Sequence, residues 1–549
     1  MNTKLTLKKD LGKVLQSTPA ERARAVIDSP HTREILEKLS PQETYLILKE
    51  AWGSDSQILM QYVTPETITR CIDMDCWDKD SISLEGLLDW LWEIYNSSID
   101  TLQDALEAID LDLIILLYQS YIDVVQVVPT DEGIDDILDQ GYETFDDIYY
   151  FLFRVEDEKV QLLKDMLGLM FAQHQNTYYS IMEGVIWELR SSVEESVYER
   201  RSLRLMEIGF PPPDEAMSIY QRTQTRKLLN TGIRKDKVPI VDKEQEFLPA
   251  LYMEHLSENT GLIVTTLAET PPRTRERFIF EMIYLANKII MADYRPLNEV
   301  DGMKDSMGKA SSLVSLGLAV AMKAQSRSAA EVLEDMNAET LFSLGYNSVQ
   351  DQKSRLKQLL HHTPLSMIPQ TLTGFVEGLM KKRPLYKSEE FSSMEQLEEV
   401  TRDIDRIEAM AVILDRLGWE KAQGAFPDTN TGSEPDMEAI VLTSLARNSL
   451  TGDLNFEPLA RQELIDFVRK TTEVSAAGKR LLKHEFKDDL IGFLGSIGTQ
   501  LSEVLIGETA GILLKRFEDE LSGIADIEEI EPRYITCFVV GLENPATAD

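Results

Sequence analysis

The residues with the most definite chemistry in this sequence are three arginines set close together. Arg200 and Arg204 are four residues apart and so share one face of a helix, and Arg201 lies beside them. Guanidinium groups bind carboxylates and phosphates through paired hydrogen bonds. The cluster therefore predicts internal ion pairs, either with the acidic N-terminal part of the chain or with the neighbouring Asp214 and Glu215. The alternative is a docking site for an acidic group of a partner or for a phosphate.

The segment after the arginines predicts how their helix ends. Gly209 can adopt a left-handed cap, and Phe210 can fold back as the hydrophobic contact that accompanies such a cap. Residues 211–213 are three consecutive prolines, which fix the turn into the next helix. Asp214 is the predicted N-cap of that helix. We therefore predict a structural junction in which the three arginines bond to acidic groups of the N-terminal half.

A second candidate chemistry is divalent-cation binding by an acidic loop. Hard cations prefer carboxylate oxygens, and the weak candidates for metal ligands in this loop are Asp131, Glu132, Asp135 and Asp136. Their spacing is not that of an EF-hand, so a solvated acidic loop is the favoured interpretation. His361 and His362 are adjacent and would point about 100° apart on a helix, which makes them poor ligands for one metal ion.

Motifs that would indicate a cofactor or a reaction are absent from the sequence. It contains no phosphate-binding loop, no dinucleotide-binding glycine motif, no nucleophile elbow and no H-E-x-x-H motif. The three cysteines, Cys71, Cys76 and Cys537, do not form a disulfide framework and are predicted to be small buried side chains. We therefore predict no catalytic residues and no cofactor.

Composition excludes some classes of protein. The chain has 549 residues and a formal net charge of −38, which opposes nucleic-acid binding. The longest apolar run, residues 113–118, is much shorter than a membrane span, so no membrane insertion is predicted. The N-terminal residues lack the apolar region of a secretory signal, and the predicted location is the cytoplasm.

The first hundred residues repeat one pattern. Pro19, Pro41 and Pro65 each follow a Ser or Thr, and an acidic residue comes one or two positions later, as at a capped helix start; the prolines are 22 and 24 residues apart. This spacing predicts a helix and turn repeated as a short solenoid, although three unrelated capped helices are the alternative. Residues 15–75 resemble the helical-repeat domain at the N-terminus of MgtE-type magnesium channels and flagellar motor-switch repeats.

Periodicity predicts an all-α, multi-domain protein with this solenoid-like module at its N-terminus. Residues 80–153 contain no Lys, Arg or His and are predicted to form helices with an acidic outer face. At most one small β-hairpin is predicted near 122–155, with 124–128 pairing with the aromatic stretch 141–153. The predicted domains are 1–128 (the helical repeat), 129–237 (the acidic loop, hairpin and arginine-rich junction) and 238–549 (helical).

Several fragments also resemble a bacterial family of unknown function, domain-of-unknown-function family 6178. The fragments that carry the resemblance are 199–210, 215–216, 219–220, 281–287, 341–345, 383–384 and 531–533. This resemblance implies a stand-alone soluble protein, and it transfers no activity and no catalytic residues.

The sequence therefore predicts a soluble interaction or scaffold protein with a protein partner. Stacked helices offer extended binding surfaces, which fits a chain without site motifs. The first alternative is a regulator that senses Mg²⁺ or Ca²⁺ through the acidic region, residues 80–147. The second is an enzyme of unknown reaction, which would need a closed pocket with convergent polar groups. Neither the partner nor the oligomeric state follows from the sequence.

Overall fold

The structure is a computed structural model, and every structural statement below concerns the residues that it describes. These are residues 14, 19–127, 134–154, 159–231, 261–362, 367–420, 426, 428–431, 435–474, 480–521, 524 and 526–542.

Helices dominate the described chain, as the periodicity predicts, so the all-α class is confirmed. They are α1 (Pro19–Ile27), α2 (Thr32–Leu36), α3 (Pro41–Glu50), α4 (Ser54–Met60), α5 (Pro65–Asp75), α6 (Leu84–Ser97), α7 (Ile99–Ala108), α8 (Leu111–Tyr121), α9 (Ile134–Asp139), α10 (Val160–Gln173), α11 (Gln175–Trp187), α12 (Arg190–Glu207), α13 (Pro213–Ala216), α14 (Thr225–Thr231), α15 (Leu262–Glu269), α16 (Pro272–Ala292), α17 (Val300–Gln325), α18 (Ala329–Asp335), α19 (Ala338–Leu359), α20 (Gln370–Met380), α21 (Met394–Leu417), α22 (Met437–Thr451), α23 (Arg461–Thr471), α24 (His484–Ile497) and α25 (Glu503–Leu521).

Short strands form three small antiparallel sheets. The strands are β1 (Trp77–Asp78), β2 (Ser81–Ile82), β3 (Ile122–Gln126), β4 (Glu143–Thr144), β5 (Tyr149–Phe153), β6 (Thr472–Val474) and β7 (Arg480–Leu482). The predicted pairing is confirmed, because β3 pairs with β5 from Ile122↔Phe153 to Gln126↔Tyr149, and β4 lies on the other side of β5.

The prediction of at most one β-hairpin was wrong. The hairpins β1–β2 and β6–β7 are additional, with two and three residues in each strand. Strands this short contain too few residues to produce a recognisable alternation of polar and apolar side chains.

Three helices of the N-terminal part begin at prolines, at the positions that the sequence predicts. Helices α1, α3 and α5 begin at Pro19, Pro41 and Pro65, where a missing N–H has no effect on helical hydrogen bonding. Ser40 and Thr64 cap α3 and α5 by accepting hydrogen bonds from the amides three residues later, at 3.2 and 3.3 Å. Short helices α2 and α4 separate the three. The helix starts are confirmed, and the interpretation as a repeat stays a prediction.

Lysine, arginine and histidine side chains that follow the acidic segment 80–153 contact four of its carboxylates. The pairs are Arg154 with Asp123 at 2.6 Å, His174 with Glu107 at 3.1 Å, Lys159 with Asp89 and Lys164 with Glu143. Each pair is partly exposed, so each contributes little stability alone.

The chain divides into two compact units, residues 1–344 and 345–549. The largest fully buried side chains of the first unit include Trp90, Tyr118 and Phe278, and the second unit contains a cluster of Phe467, Phe486, Phe517 and Phe538. All three cysteines are buried and free, as predicted. Both predicted domain boundaries, 128/129 and 237/238, lie outside the described residues and stay predictions.

Among the described residues, no helix has both the length and the apolar composition needed to cross a membrane.

Candidate binding site

Helix α12 carries the three arginines, and its end is built as the sequence predicts. Gly209 has φ of +91°, in the left-handed region. The Phe210 amide donates to the Leu205 carbonyl at 2.9 Å, and the Gly209 amide donates to the Met206 carbonyl at 3.1 Å. These two bonds form a Schellman motif, and the Phe210 side chain is fully buried. The predicted glycine cap is confirmed, and it fixes where the arginine-bearing helix stops.

Arg204 is saturated by carboxylates. Its Nε and Nη2 donate to the two oxygens of Asp73 at 2.6 and 2.9 Å, and its Nη1 donates to Asp110. Burial alone would lower the pKa of Arg204, but the hydrogen bonds and charges of Asp73 and Asp110 outweigh burial and raise it. This bidentate pair is a structural contact between α12, the end of α5 and the start of α8.

Arg200 also pairs with aspartates but is half exposed. Its Nη2 lies 3.1 Å from Asp112 and its Nη1 lies 3.5 Å from Asp110. Asp110 occupies the N-cap position of α8 without making a capping hydrogen bond, because its carboxylate oxygens face Arg200 and Arg204 instead. Two of the three arginines therefore meet acidic residues of the N-terminal half.

Arg201 pairs with no carboxylate in the part of the chain that the structure describes. Its Nε donates to the Asp73 backbone carbonyl at 2.9 Å, and its guanidinium carbon lies 4.8 Å from the centre of the Trp77 ring. A long contact of 3.5 Å joins Nη1 to the Lys79 carbonyl. The residue is 6% exposed, and burial lowers the pKa of its guanidinium to about 10, so it stays charged at neutral pH.

A cavity of about 680 Å³ opens beside Arg201. Its walls are the β1–β2 hairpin, one face of α12, the proline turn at 212–214, and residues 291–297, which comprise the end of α16 and the segment after it. Trp77 lines it with a buried indole N–H that has no hydrogen-bond partner among the described residues. The junction predicted from the sequence is therefore also one wall of a cavity.

Three large apolar side chains around this cavity are exposed to solvent. Leu203, Met206 and Tyr294 are 58%, 45% and 51% exposed. Tyr294 and Lys79, which also lines the cavity, both have φ above +50°, an unfavourable region for residues other than glycine. Exposed apolar side chains grouped around a concave site are typical of binding surfaces.

The structure does not bring Asp214 and Glu215 to the arginines. Both are exposed, and Asp214 lines the cavity. Contrary to the prediction, Asp214 is not the N-cap of α13. The N-cap position lies two residues earlier, at Pro212, which makes no side-chain cap, and the helix begins at Pro213. The fixed φ of proline suits the first position of a helix, so the third proline begins the helix instead of preceding it.

The structure gives no support to the predicted metal ligands. Asp131 and Glu132 lie outside the described residues, as does the side chain of Asp135, and Asp136 is exposed on α9. No group of three or more His, Cys, Asp or Glu residues suited to a metal ion occurs within the described ranges.

Asp73 and Trp77 were not predicted as residues of this site, although the sequence contains a signal for Asp73. Asp73 and Asp75 lie in the last turn of α5, where a negative charge opposes the helix dipole and no basic residue compensates. Two carboxylates there require partners from elsewhere in the fold. Asp73 receives Arg204, and Asp75 accepts from Tyr45 at 2.8 Å and from Trp90 at 2.7 Å.

Comparison with known proteins gives a family and no function. A model of a family of unknown function (DUF6178) matches residues 1–541, so the chain belongs to this family. No curated protein and no solved structure matches the chain.

Proposed function

We propose that this member of the DUF6178 family is an interaction or scaffold protein that binds a segment of a partner protein at the cavity beside Arg201. The bound segment carries one carboxylate among apolar side chains. The observation that carries this proposal is the combination of an exposed apolar rim with a buried, charged guanidinium that contacts no carboxylate of the described residues.

Two residues that line the cavity have hydrogen-bond donors that are not fully paired among the described residues. Arg201 donates from its Nε to a backbone carbonyl, and within the described ranges its terminal nitrogens make only one long contact. The indole N–H of Trp77 is a second donor without a partner among the described residues. A carboxylate would accept from such donors and would balance a buried positive charge, which favours an anionic group over a neutral one.

The rim supports a protein partner instead of a small free anion. Leu203, Met206 and Tyr294 would lose their exposed apolar area on binding, and each Å² contributes about 25 cal/mol before the costs of association. Central apolar and aromatic contacts that surround one charged anchor are typical of protein–protein interfaces.

Long-range electrostatics disfavour a strongly acidic partner. The chain has a net charge of −38, and Asp78, Asp80, Glu199 and Asp214 line the cavity. A single carboxylate matched to a single guanidinium avoids most of this repulsion. Because salt screens the remaining repulsion, with a Debye length of about 10 Å at 0.1 M, we expect the affinity to rise modestly with ionic strength.

The N-terminal helices α1–α5 would extend this surface. We propose that they form the helical repeat suggested by their proline starts, which resembles the MgtE N-terminal domain. Stacked repeats of this kind present extended faces to partner proteins. Cytoplasmic location remains part of this proposal.

Binding of labelled peptides to the full chain tests the proposed function. One set of short fluorescein-labelled peptides combines a single Asp with aromatic and aliphatic residues, and a matched set has Asn in place of that Asp. We expect the Asp peptides to bind and the Asn peptides to bind about tenfold more weakly or worse, as measured by fluorescence polarisation. Equal affinity for the two sets, or no binding by either, contradicts the proposal.

Two exposed leucines provide a matched pair of variants. Leu203→Asp places a charge on the cavity rim, whereas Leu189→Asp places one at the start of the same helix, where Leu189 is 73% exposed and does not line the cavity. Leu203→Asp should abolish binding of the Asp peptides, and Leu189→Asp should leave it unchanged. Equal effects of the two variants would show that the cavity is not the binding site.

A further inference from the structure

A second cavity, of about 590 Å³, lies within the unit formed by residues 345–549. Helices α20, α21, α22 and α25 form its walls. Apolar side chains that include Phe375, Met410 and Ile512 cover part of the lining. The volume is within the range of pockets that bind small molecules, about 300–1,000 Å³.

Two carboxylates of this cavity each leave one oxygen without a hydrogen bond among the described residues. Asp403 accepts from Arg406 at 2.9 Å through Oδ1, and Glu438 accepts from Arg516 at 2.9 Å through Oε2. Burial raises the pKa of both carboxyl groups despite these arginines, because water is largely removed from them. Their second oxygens are acceptors that a hydrogen-bond donor could satisfy.

The third carboxylate of the cavity, Glu399, is already paired. Lys387 donates to it at 2.8 Å, and Tyr386 donates to its other oxygen. Lys387 and Ser388 form a tight turn in which both have positive φ, at +47° and +74°. Tyr386 and Glu389 flank this turn and exchange two backbone hydrogen bonds of 2.8 Å. The turn therefore neutralises Glu399, so that Asp403 and Glu438 are the carboxylates of this cavity with an oxygen that accepts no hydrogen bond from the described residues.

Thr509 provides an independent indication of a ligand. It lines the cavity and is 2% exposed, and its hydroxyl has no hydrogen-bond partner among the described residues. Buried threonines in helices ordinarily bond to the carbonyl four residues earlier, as Thr443 and Thr471 do here at 2.7 and 2.8 Å. A buried hydroxyl without a partner is costly unless something occupies the site.

We propose that this cavity binds a small organic amine. The ammonium group is held by the free oxygens of Asp403 and Glu438, the apolar body packs against Phe375 and Met410, and a polar atom of the ligand bonds to the Thr509 hydroxyl. The cavity thus selects a cationic, amphipathic small molecule, which is a separate property from the peptide binding proposed above.

Calorimetric titration of the full chain tests this inference with defined probes. The amine probes are benzylamine, tyramine and cyclohexylamine, and 4-ethylphenol is the neutral counterpart of tyramine. At least one amine should bind, and 4-ethylphenol should bind about tenfold more weakly than tyramine or not at all. Failure of all three amines to bind, or equal binding of tyramine and 4-ethylphenol, would overturn the proposal.

Variants of the cavity carboxylates test whether the amine binds in this cavity. Glu438→Gln and Asp403→Asn should each weaken amine binding about tenfold or more. Glu438→Gln should remain folded, because Arg516 keeps its two bonds to Asp436. The control is Glu395→Gln, an exposed carboxylate on α21 that does not line the cavity, and it should leave binding unchanged. Equal affinities of the wild type and both cavity variants would overturn the proposal.

Discussion

The two cavities make opposite chemical demands on a ligand. The first contains Arg201 beneath an exposed apolar rim, whereas the second contains Asp403 and Glu438, each with one oxygen that accepts no hydrogen bond among the described residues. In both, a fully satisfied ion pair lies next to a group that is only partly satisfied. Arg204 with Asp73 adjoins Arg201, and Arg516 with Asp436 adjoins Glu438. The satisfied pair anchors the fold, and its neighbour remains available for a ligand.

Residues with an unfavourable backbone conformation line both cavities. Six residues other than glycine have positive φ within the described ranges, and four of them line the cavities: Lys79, Tyr294, Lys387 and Ser388. Such conformations cost about 1–3 kcal/mol each and persist where the surrounding structure imposes them. Their positions support a functional role for both cavities.

The largest expected effect comes from breaking the satisfied pair beside the first cavity. Asp73→Asn should lower the free energy of unfolding of the unit 1–344 by about 3–5 kcal/mol, because Arg204 would be left partly buried without its main counter-charge. Urea unfolding followed by tryptophan fluorescence measures this change.

Asp112→Asn is the matched control for that substitution. Asp112 pairs with the half-exposed Arg200, so its loss should cost less than about 1 kcal/mol. Similar losses for the two variants would show that Asp73 has no special structural role.

Two threonines of the second unit should respond in opposite directions to the same substitution. Thr509→Val removes a buried hydroxyl that has no partner among the described residues and should raise the free energy of unfolding by up to about 1 kcal/mol. Thr443→Val should lower it by about 1–3 kcal/mol, because the Val539 amide, which donates to the Thr443 hydroxyl at 2.8 Å, would lose its acceptor. Denaturant titration of both variants measures these changes in the free energy of unfolding. If Thr509→Val lowers it, the Thr509 hydroxyl is already satisfied in the free protein, which contradicts its proposed role in binding a ligand.

Glycine substitutions test the helix end that shapes the first cavity. Gly209→Ala should destabilise the protein by about 1–2 kcal/mol, since its φ of +91° is unfavourable for alanine. Gly511→Ala, in the exposed interior of α25 with no atom near the added Cβ, should stabilise it by about 0.5–1 kcal/mol. Thermal melting compares them, and a stabilising Gly209→Ala is inconsistent with a left-handed cap.

The smallest expected effect concerns pH. Burial raises the pKa of Glu438 in the folded state above its value in the unfolded state. The contribution of the Glu438 side chain to the free energy of unfolding therefore falls as pH rises from its pKa in the unfolded state through its pKa in the folded state. The stability of Glu438→Gln relative to the wild type should therefore be greater at pH 7 than at pH 5. Unfolding free energies at the two pH values measure the difference, and the opposite order would show that Glu438 is stabilised as a carboxylate.

Local features of the fold could be predicted from the sequence, and the cavities could not. Gly209 with Phe210, and the prolines that start α3 and α5, act within a few neighbouring residues, so their effect is visible in the sequence. Partners such as Arg204 and Asp73 are 131 residues apart, and nothing local specifies their contact. The second cavity was missed altogether because its carboxylates and Thr509 lie on three separate helices.

A double-mutant cycle between Arg201 and the peptide carboxylate is the most direct test of the proposed binding function. It combines Arg201→Gln with the Asp-to-Asn change in the peptide and measures all four affinities by fluorescence polarisation. If the guanidinium holds the carboxylate, the coupling energy should be about 1.5 kcal/mol or more, as for close charge pairs at other protein interfaces. Additive effects of the two changes, with coupling near zero, would contradict the assignment of Arg201 as the anchor of a partner's carboxylate.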